Sequence, residues 1–213
     1  TTEIYTLSLH DALPISRVCI ERSRGMPLRF CIVGDGEMRS DLERYCAELD
    51  MADYVIFTGW LRNLREVYAD LDVLALTSDN EGTPMSVIEA MAASVPVIST
   101  DAGGVVDLLG ECVTPFPEEG FSLHERGVMC PKRDVEGFSR GLGYLVRDHE
   151  AEKSRLTAAA RVFVERQFSG ERLIRDMEDL YGGLADHPGR VHPWSLAGPF
   201  SPRAAVQSSA QGR

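Results

Sequence analysis

From Glu66 through Glu125 the chain contains no lysine and no arginine, although twelve carboxylates fall in that stretch. Local ion pairs cannot neutralise them, and the deficit extends to the whole chain, where 22 basic against 33 acidic side chains give a formal charge of −11. The sequence-wide basic surface that neutralises nucleic-acid phosphates or docks on anionic lipid is therefore missing, and no nucleic-acid partner is expected. Long apolar runs are missing too. Val73 to Leu76 and Val95 to Ile98 are far shorter than the roughly 20 residues of a membrane helix, so no transmembrane span is expected. The first residues lack both a basic start with an apolar run behind it and a small-residue cleavage site, which points to the cytoplasm. Cys19, Cys31, Cys46, Cys112 and Cys130 are odd in number, far apart and form no C-x-x-C pair. That argues against a disulfide framework and a zinc site and for reduced, mostly buried thiols. Neither a G-x-S-x-G elbow nor an H-E-x-x-H motif occurs; the scattered His10, His124, His149, His187 and His192 receive no role, and no metal is expected.

What is there suffices for a sizeable core: 213 residues, 44% of them hydrophobic. The apolar run Leu28 to Val33 ends in Gly34-Asp35-Gly36 and is followed by Met38, Leu42, Tyr45, Cys46 and Leu49 at helical spacing, so it reads as strand, turn, helix. The unit recurs: Val55 to Phe57 stopping at Gly59, a short helix through Leu64, Val67, Tyr68 and Leu71, a buried strand from Val73 to Thr77, a helix from Pro84 to about Ser94, a strand Val97 to Ser99 and a Gly103-Gly104 turn. Short strands alternating with helices predict an α/β fold, a Rossmann-like parallel sheet with helices on both faces. Residues Glu111 to Arg126, with Pro115, Pro117 and Gly120, show no period and read as a surface insertion before a last strand at Gly127 to Met129. Helices are expected over Val135 to Arg147, Glu150 to about Arg166 and Glu171 to Leu184, the last with Leu173, Met177, Leu180, Tyr181 and Leu184 in one stripe. Residues 185–213 are rich in proline, glycine and serine and read as a disordered tail. Thr1 to Ser16 fit neither period and contain Pro14. They resemble a translated sequencing adapter and are set apart as foreign to the domain at 17–184, with no registered strand expected from them; an ordinary but untypical first helix is the alternative.

The candidate site lies in the cation-free stretch. Glu89 is the only charge between Pro84 and Thr100, in a helix apolar enough to be packed nearly all round. A carboxylate buried there needs hydrogen-bond donors, which a hydroxyl-rich ligand supplies. Glu81 lies eight residues earlier, on the loop after the strand at Val73 to Thr77. Gly82, Thr83 and Pro84 lead into the helix, whose first N–H groups suit a phosphate at the carboxyl end of a parallel strand. Spacing alone fits a structural acid pair equally well.

Glu81-Gly82-Thr83-Pro84, Ile88-Glu89-Ala90-Met91-Ala92, Pro96 to Thr100 and Gly103-Gly104 together resemble the E-x7-E region of retaining glycosyltransferases of family 4, which have the two-domain B-type fold. The resemblance extends upstream through Ile32 to Gly36 and Phe57 to Trp60, and downstream through Pro131 to Asp134 and Phe168-Ser169. It covers about Arg17 to Leu184, in that family the C-terminal, nucleotide-sugar-binding domain. It implies transfer of a sugar, with retention, from a nucleoside-diphosphate sugar to a glycan, lipid or small-molecule acceptor, with the nucleotide sugar as co-substrate and no metal cofactor. It further implies that Glu89 holds the ribose hydroxyls of the donor, that Glu81, the candidate catalytic residue, contacts hydroxyls of the transferred sugar, and that Gly82, Thr83 and Pro84 line the diphosphate and sugar. Gly34 and Gly36 would let backbone approach the nucleotide, with Trp60 near the base.

Two features depart from the family pattern. The basic glycine-containing loop that usually opens this domain is replaced by Thr1 to Ser16, and the N-terminal acceptor-binding domain, through which any peripheral membrane contact would run, is not present. The chain therefore reads as a donor-binding fragment, inactive by itself. A dinucleotide-binding oxidoreductase is disfavoured because Arg39 occupies the third glycine position of G-x-G-x-x-G, where a large side chain obstructs helix–strand packing. A nucleotide-sugar 2-epimerase of the same fold and a non-catalytic donor-binding module are the alternatives.

Overall fold

A computed structural model describes residues 2–6, 9–23, 26–147 and 149–186. The elements run β1 (Thr2–Thr6), α1 (Leu9–Arg22), β2 (Leu28–Val33), α2 (Arg39–Glu48), β3 (Val55–Gly59), α3 (Arg65–Asp70), β4 (Val73–Leu76) and α4 (Met85–Ala92). They continue with β5 (Val97–Thr100), α5 (Val105–Leu109), β6 (Cys112–Phe116), β7 (Phe121–His124), β8 (Val128–Cys130), α6 (Val135–Val146), α7 (Glu150–Gln167) and α8 (Gly170–Asp186). The strands form one sheet in the order β3-β2-β1-β4-β5-β8-β7-β6, parallel from β3 to β8. Two apolar clusters cover its faces. One joins α1, α2 and α6 through Leu13, Leu42, Cys46, Phe138 and Leu142. The other joins α3, α4, α5 and α7 through Tyr68, Val87, Met91, Leu108 and Val164. Residues of β4 and β5 are buried on both sides, which is why they read as unbroken apolar runs rather than alternating ones.

The structure differs from the sequence expectation in two places. Residues Thr2–Thr6, set apart as foreign, form the strand between β2 and β4, with Ile4 opposite both Phe30 and Val73. Pro14 does not oppose this because it falls inside α1, not in the strand. The supposed surface insertion at Glu111 to Arg126 is an antiparallel hairpin, β6–β7, that completes the sheet through β8. Phe121, Leu123 and His124 are buried in it, and the His124 ring bridges the Gly110 carbonyl at 2.7 Å and the Ser122 hydroxyl at 3.1 Å.

The chain divides into two compact units, Thr1–Ser169 and Gly170–Arg213. In the second, α8 carries Leu173, Met177, Leu180 and Tyr181 exposed along one side. The tail expected at 185–213 lies outside the described residues apart from the last two residues of α8. Among the described residues no helix is long and apolar enough to cross a membrane. The cysteines are free; Cys19, Cys46 and Cys130 are buried, Cys31 is half-buried and Cys112 is exposed. Burial pushes the Cys19 thiol up to about 11 and the Cys130 thiol further still, so neither is a ready thiolate at neutral pH.

Candidate functional site

Strand order reverses between β1 and β4, and the loop that leaves the carboxyl end of β4 carries Ser78 to Pro84. In open α/β sheets this is where ligands bind. Three neighbours fix the loop. The Thr100 hydroxyl donates to the Ser78 carbonyl. The Arg133 guanidinium grips Asp79 through Nε at 3.2 Å and Nη2 at 2.7 Å, reaching across from the turn after β8. Gly103 and Gly104, after β5, lie directly against the loop backbone, and the Gly104 N–H donates to the Gly82 carbonyl at 3.0 Å. A Cβ on Gly103 would overlap the Glu81 carbonyl oxygen and one on Gly104 the Gly82 carbonyl oxygen. Gly103 also sits at φ +54°, where glycine alone is unstrained.

Along this loop Glu81 is half-buried, Gly82 and Thr83 are exposed and Pro84 is buried. Pro84 has φ −70° and ψ 112°, so it precedes the helix as its N-cap instead of occupying the first turn. It provides no side-chain cap, leaving the first-turn N–H groups of α4 without one. Glu89 departs from the expectation of a buried charge. Val87, Ile88, Ala90 and Met91 turn inward, whereas Glu89 lies on the exposed side of α4 with Met85 and Ala92. The high apolar content misled because alanine and methionine tolerate exposure. The carboxylate pays no burial penalty here; its defined partner is the Tyr68 hydroxyl, which donates to Oε2 at 2.9 Å. Tyr68, Arg133 and the Gly103-Gly104 pair were not assigned roles from sequence. A lone tyrosine in a short helix gives no signal, and the Arg133–Asp79 pair joins residues far apart in the chain.

Gly34, Gly36 and Trp60 follow the carboxyl ends of β2 and β3 and share the sheet edge with Glu81. At about 4.8 Å per strand, β2 and β3 lie about 10 and 14 Å across the sheet from β4. Gly34 (φ +128°) donates its N–H to the Gly59 carbonyl at 3.0 Å, and both Gly34 and Gly36 border open space. Trp60 is 69% exposed, with the Arg62 guanidinium carbon 5.8 Å from its ring centre. Arg39, in the place of the third glycine, pairs with Glu43 at 2.8 Å. A cavity of about 430 Å³ opens elsewhere, lined by Arg22, Met26, Phe121, Arg140, Tyr144 and His149 among others, and contains none of these site residues.

Several known proteins are similar to this chain. A 2-deoxystreptamine glucosyltransferase of Streptomyces kanamyceticus is 41% identical over 93 residues, 43% of this chain and 24% of that protein. A GDP-mannose-dependent alpha-mannosyltransferase of Mycolicibacterium smegmatis is 36% identical over 136 residues, 63% of this chain and 31% of that protein. The chain thus spans about a quarter to a third of these relatives. The crystal structure of Anabaena Alr3699/HepE in complex with UDP and glucose superimposes with a TM-score of 0.71 at 16% identity, covering 86% of this chain and 49% of that one. That likeness establishes the fold, an α/β domain with a parallel-stranded sheet. A family profile described as "Glycosyl transferases group 1" matches residues 8–148, so the chain belongs to the group 1 glycosyl transferases.

Proposed function

We propose that the chain is the donor-binding domain of a retaining glycosyltransferase of family 4, which moves a sugar from a nucleoside-diphosphate sugar to a glycan, lipid or small-molecule acceptor in the cytoplasm. The observation that carries this reading is the loop from Glu81 to Pro84. It sits at the carboxyl end of β4, braced from behind by Gly103 and Gly104 and from the side by Arg133. In the proposed pose, Glu89 accepts hydrogen bonds from the ribose hydroxyls and Glu81 contacts hydroxyls of the transferred sugar. The N–H groups near Gly82 and Thr83 and at the start of α4 face the diphosphate, where partial positive charge suits phosphate oxygens. Gly34 and Gly36 leave space for the nucleotide, and the exposed Trp60 offers its face to the base. The bond from the anomeric carbon to the diphosphate oxygen breaks, the diphosphate keeps the electron pair, and the acceptor oxygen replaces it on the same face while the acceptor hydroxyl's proton passes to the departing diphosphate. The proposed reaction uses the nucleotide sugar as co-substrate and no metal cofactor. One relative is named for GDP-mannose and one solved neighbour holds UDP, so uridine and guanosine nucleotides are both candidate donors.

Exposure of Glu89 makes the test clean, because the substitution Glu89→Gln removes charge without opening the core. A charge-assisted hydrogen bond contributes about 1.5 to 3 kcal/mol, of which an amide recovers part, so donor affinity is expected to fall about tenfold with unchanged thermal stability. Calorimetric titration with UDP- and GDP-sugars reads the affinity and thermal unfolding reads the stability, and undiminished affinity in the variant removes Glu89 from the site.

A further inference from the structure

We propose that Tyr68 is a positioning residue whose phenol fixes the Glu89 carboxylate to receive the ribose of the nucleotide. This rests on the reading of Glu89 given above. Tyr68 is 7% exposed, its ring packed in the cluster that includes Leu71, Val87, Ile88 and Met91. It belongs to α3, whereas Glu89 belongs to α4, so the contact ties two helices on one face of the sheet. The hydroxyl reaches Glu89 Oε2 at 2.9 Å; the Ser86 carbonyl is a distant second at 3.4 Å. A phenol has one proton to donate, and the shorter, charge-assisted contact takes it.

An exposed glutamate on a helix otherwise samples several rotamers. The residues one turn away on α4, Met85, Ser86, Ala92 and Ala93, bear no positive charge that could hold it. The buried phenol is a rigid anchor, because its ring is held by packing while its hydroxyl bonds the carboxylate of an exposed residue. A carboxylate presents about four lone-pair sites. With one taken by Tyr68 the carboxylate plane is set, and the remaining sites suit a pair of adjacent hydroxyls such as the 2′ and 3′ positions of a ribose. A support of this kind, acting through a second side chain, is how binding groups are held to a productive geometry.

The experiment is calorimetric titration of the chain with UDP and GDP and with their 2′-deoxy counterparts, for the parent, Tyr68→Phe, Glu89→Gln and the double variant, with thermal unfolding measured alongside. The parent is expected to prefer the ribonucleotide about tenfold. Tyr68→Phe is expected to weaken ribonucleotide binding about three- to tenfold, leave the deoxynucleotide nearly unchanged and keep the melting temperature, while the double variant binds no more weakly than Glu89→Gln alone. Equal loss for both nucleotides, or additive loss in the double variant, overturns the positioning role. A loss in Glu89→Gln with none in Tyr68→Phe overturns the role of Tyr68 and keeps that of Glu89. An unchanged ribose preference in Glu89→Gln, or binding of neither nucleotide to the parent, overturns the reading of Glu89 itself.

Discussion

The candidate loop owes its shape to two residues that have no side chain. Gly103 and Gly104 allow the turn after β5 to rest on the peptide groups of Glu81 and Gly82, so Glu81 is placed by backbone against backbone. Substituting Gly103 by alanine sets two costs in the same direction, since the methyl overlaps the Glu81 carbonyl oxygen and φ is +54°. A non-glycine residue in a sparsely populated region costs of order 1 to 3 kcal/mol, and overpacking costs a similar amount. The loop can relieve the overlap only by moving Glu81. Gly103→Ala is therefore expected to lower the melting temperature by several degrees and also to weaken nucleotide-sugar binding. Calorimetry and thermal unfolding check this, and full donor affinity in a destabilised variant would show that the loop does not depend on the turn.

At the scale of elements, the β6–β7 hairpin is seated by a similar device. Gly120, at its tip, has φ +74°, and a Cβ there would come within 2.8 Å of the Gly137 Cα and 2.6 Å of Asp134 Oδ2. Gly137 in turn lies in the first turn of α6, where Asp134 caps its N–H at 2.8 Å. Alanine in a helix ordinarily gains about 1 kcal/mol over glycine. At Gly137 the methyl would overlap the Gly120 carbonyl oxygen and the Asp134 carboxylate, and relief of such overpacking costs about 1 to 3 kcal/mol. The second effect wins, so Gly137→Ala is expected to lower the melting temperature, and a rise would mean that the hairpin tip yields freely. The hairpin also marks where sequence reasoning stops. β4 and β5 were legible because burial on both faces makes them continuous apolar runs, and β2 because Leu28, Phe30, Ile32 and Val33 are buried in a mostly apolar stretch that stops at Gly34. β6 carries Cys112, Val113, Thr114 and Pro115 all exposed, so no period marks it, and only its pairing with Phe121 to His124 makes it a strand. Thr2–Thr6 was illegible for the same reason, because its place is defined by backbone pairing with β2 and β4 rather than by a recognisable pattern. At the site, Glu81, Gly82, Thr83 and Glu89 could be named as candidates from the family resemblance, spacing alone fitting a structural acid pair equally well. The exposure of Glu89 and its bond to Tyr68 could not, because they depend on how α3 meets α4.

At the scale of the whole molecule, the question is how much of a transfer reaction this chain can support. Transfer demands that the donor's anomeric carbon and the acceptor hydroxyl be held about 3 to 3.5 Å apart with water excluded, and this positioning supplies a large part of the barrier reduction. The candidate groups of this chain line one open edge of one sheet, with Gly34, Gly36, Trp60, Gly82, Thr83 and Glu89 all exposed. Charge is a second constraint. A departing diphosphate needs cations or many N–H donors, yet the chain bears −11 overall. At this edge Arg133 is paired with Asp79 and Arg39 with Glu43. Arg62 beside Trp60 and the N–H groups near Gly82 are further favourable elements, and they suit binding better than turnover. The chain spans 24% and 31% of its two relatives above, so the rest of such a protein has room to supply an acceptor face and further cations. On the proposed reading, the 213-residue chain alone is expected to bind a nucleotide sugar weakly and transfer nothing, whereas a protein that joins it to an acceptor-binding domain is expected to do both. Incubation with UDP- and GDP-sugars and a panel of glycan, lipid and small-molecule acceptors, assayed for nucleoside diphosphate release and new glycoside, decides between the two. Slow donor hydrolysis without an acceptor product is compatible with an open edge that admits water. Acceptor-dependent turnover by this chain alone would mean that the edge around Glu81 already contains the acceptor site and the groups that stabilise the leaving diphosphate.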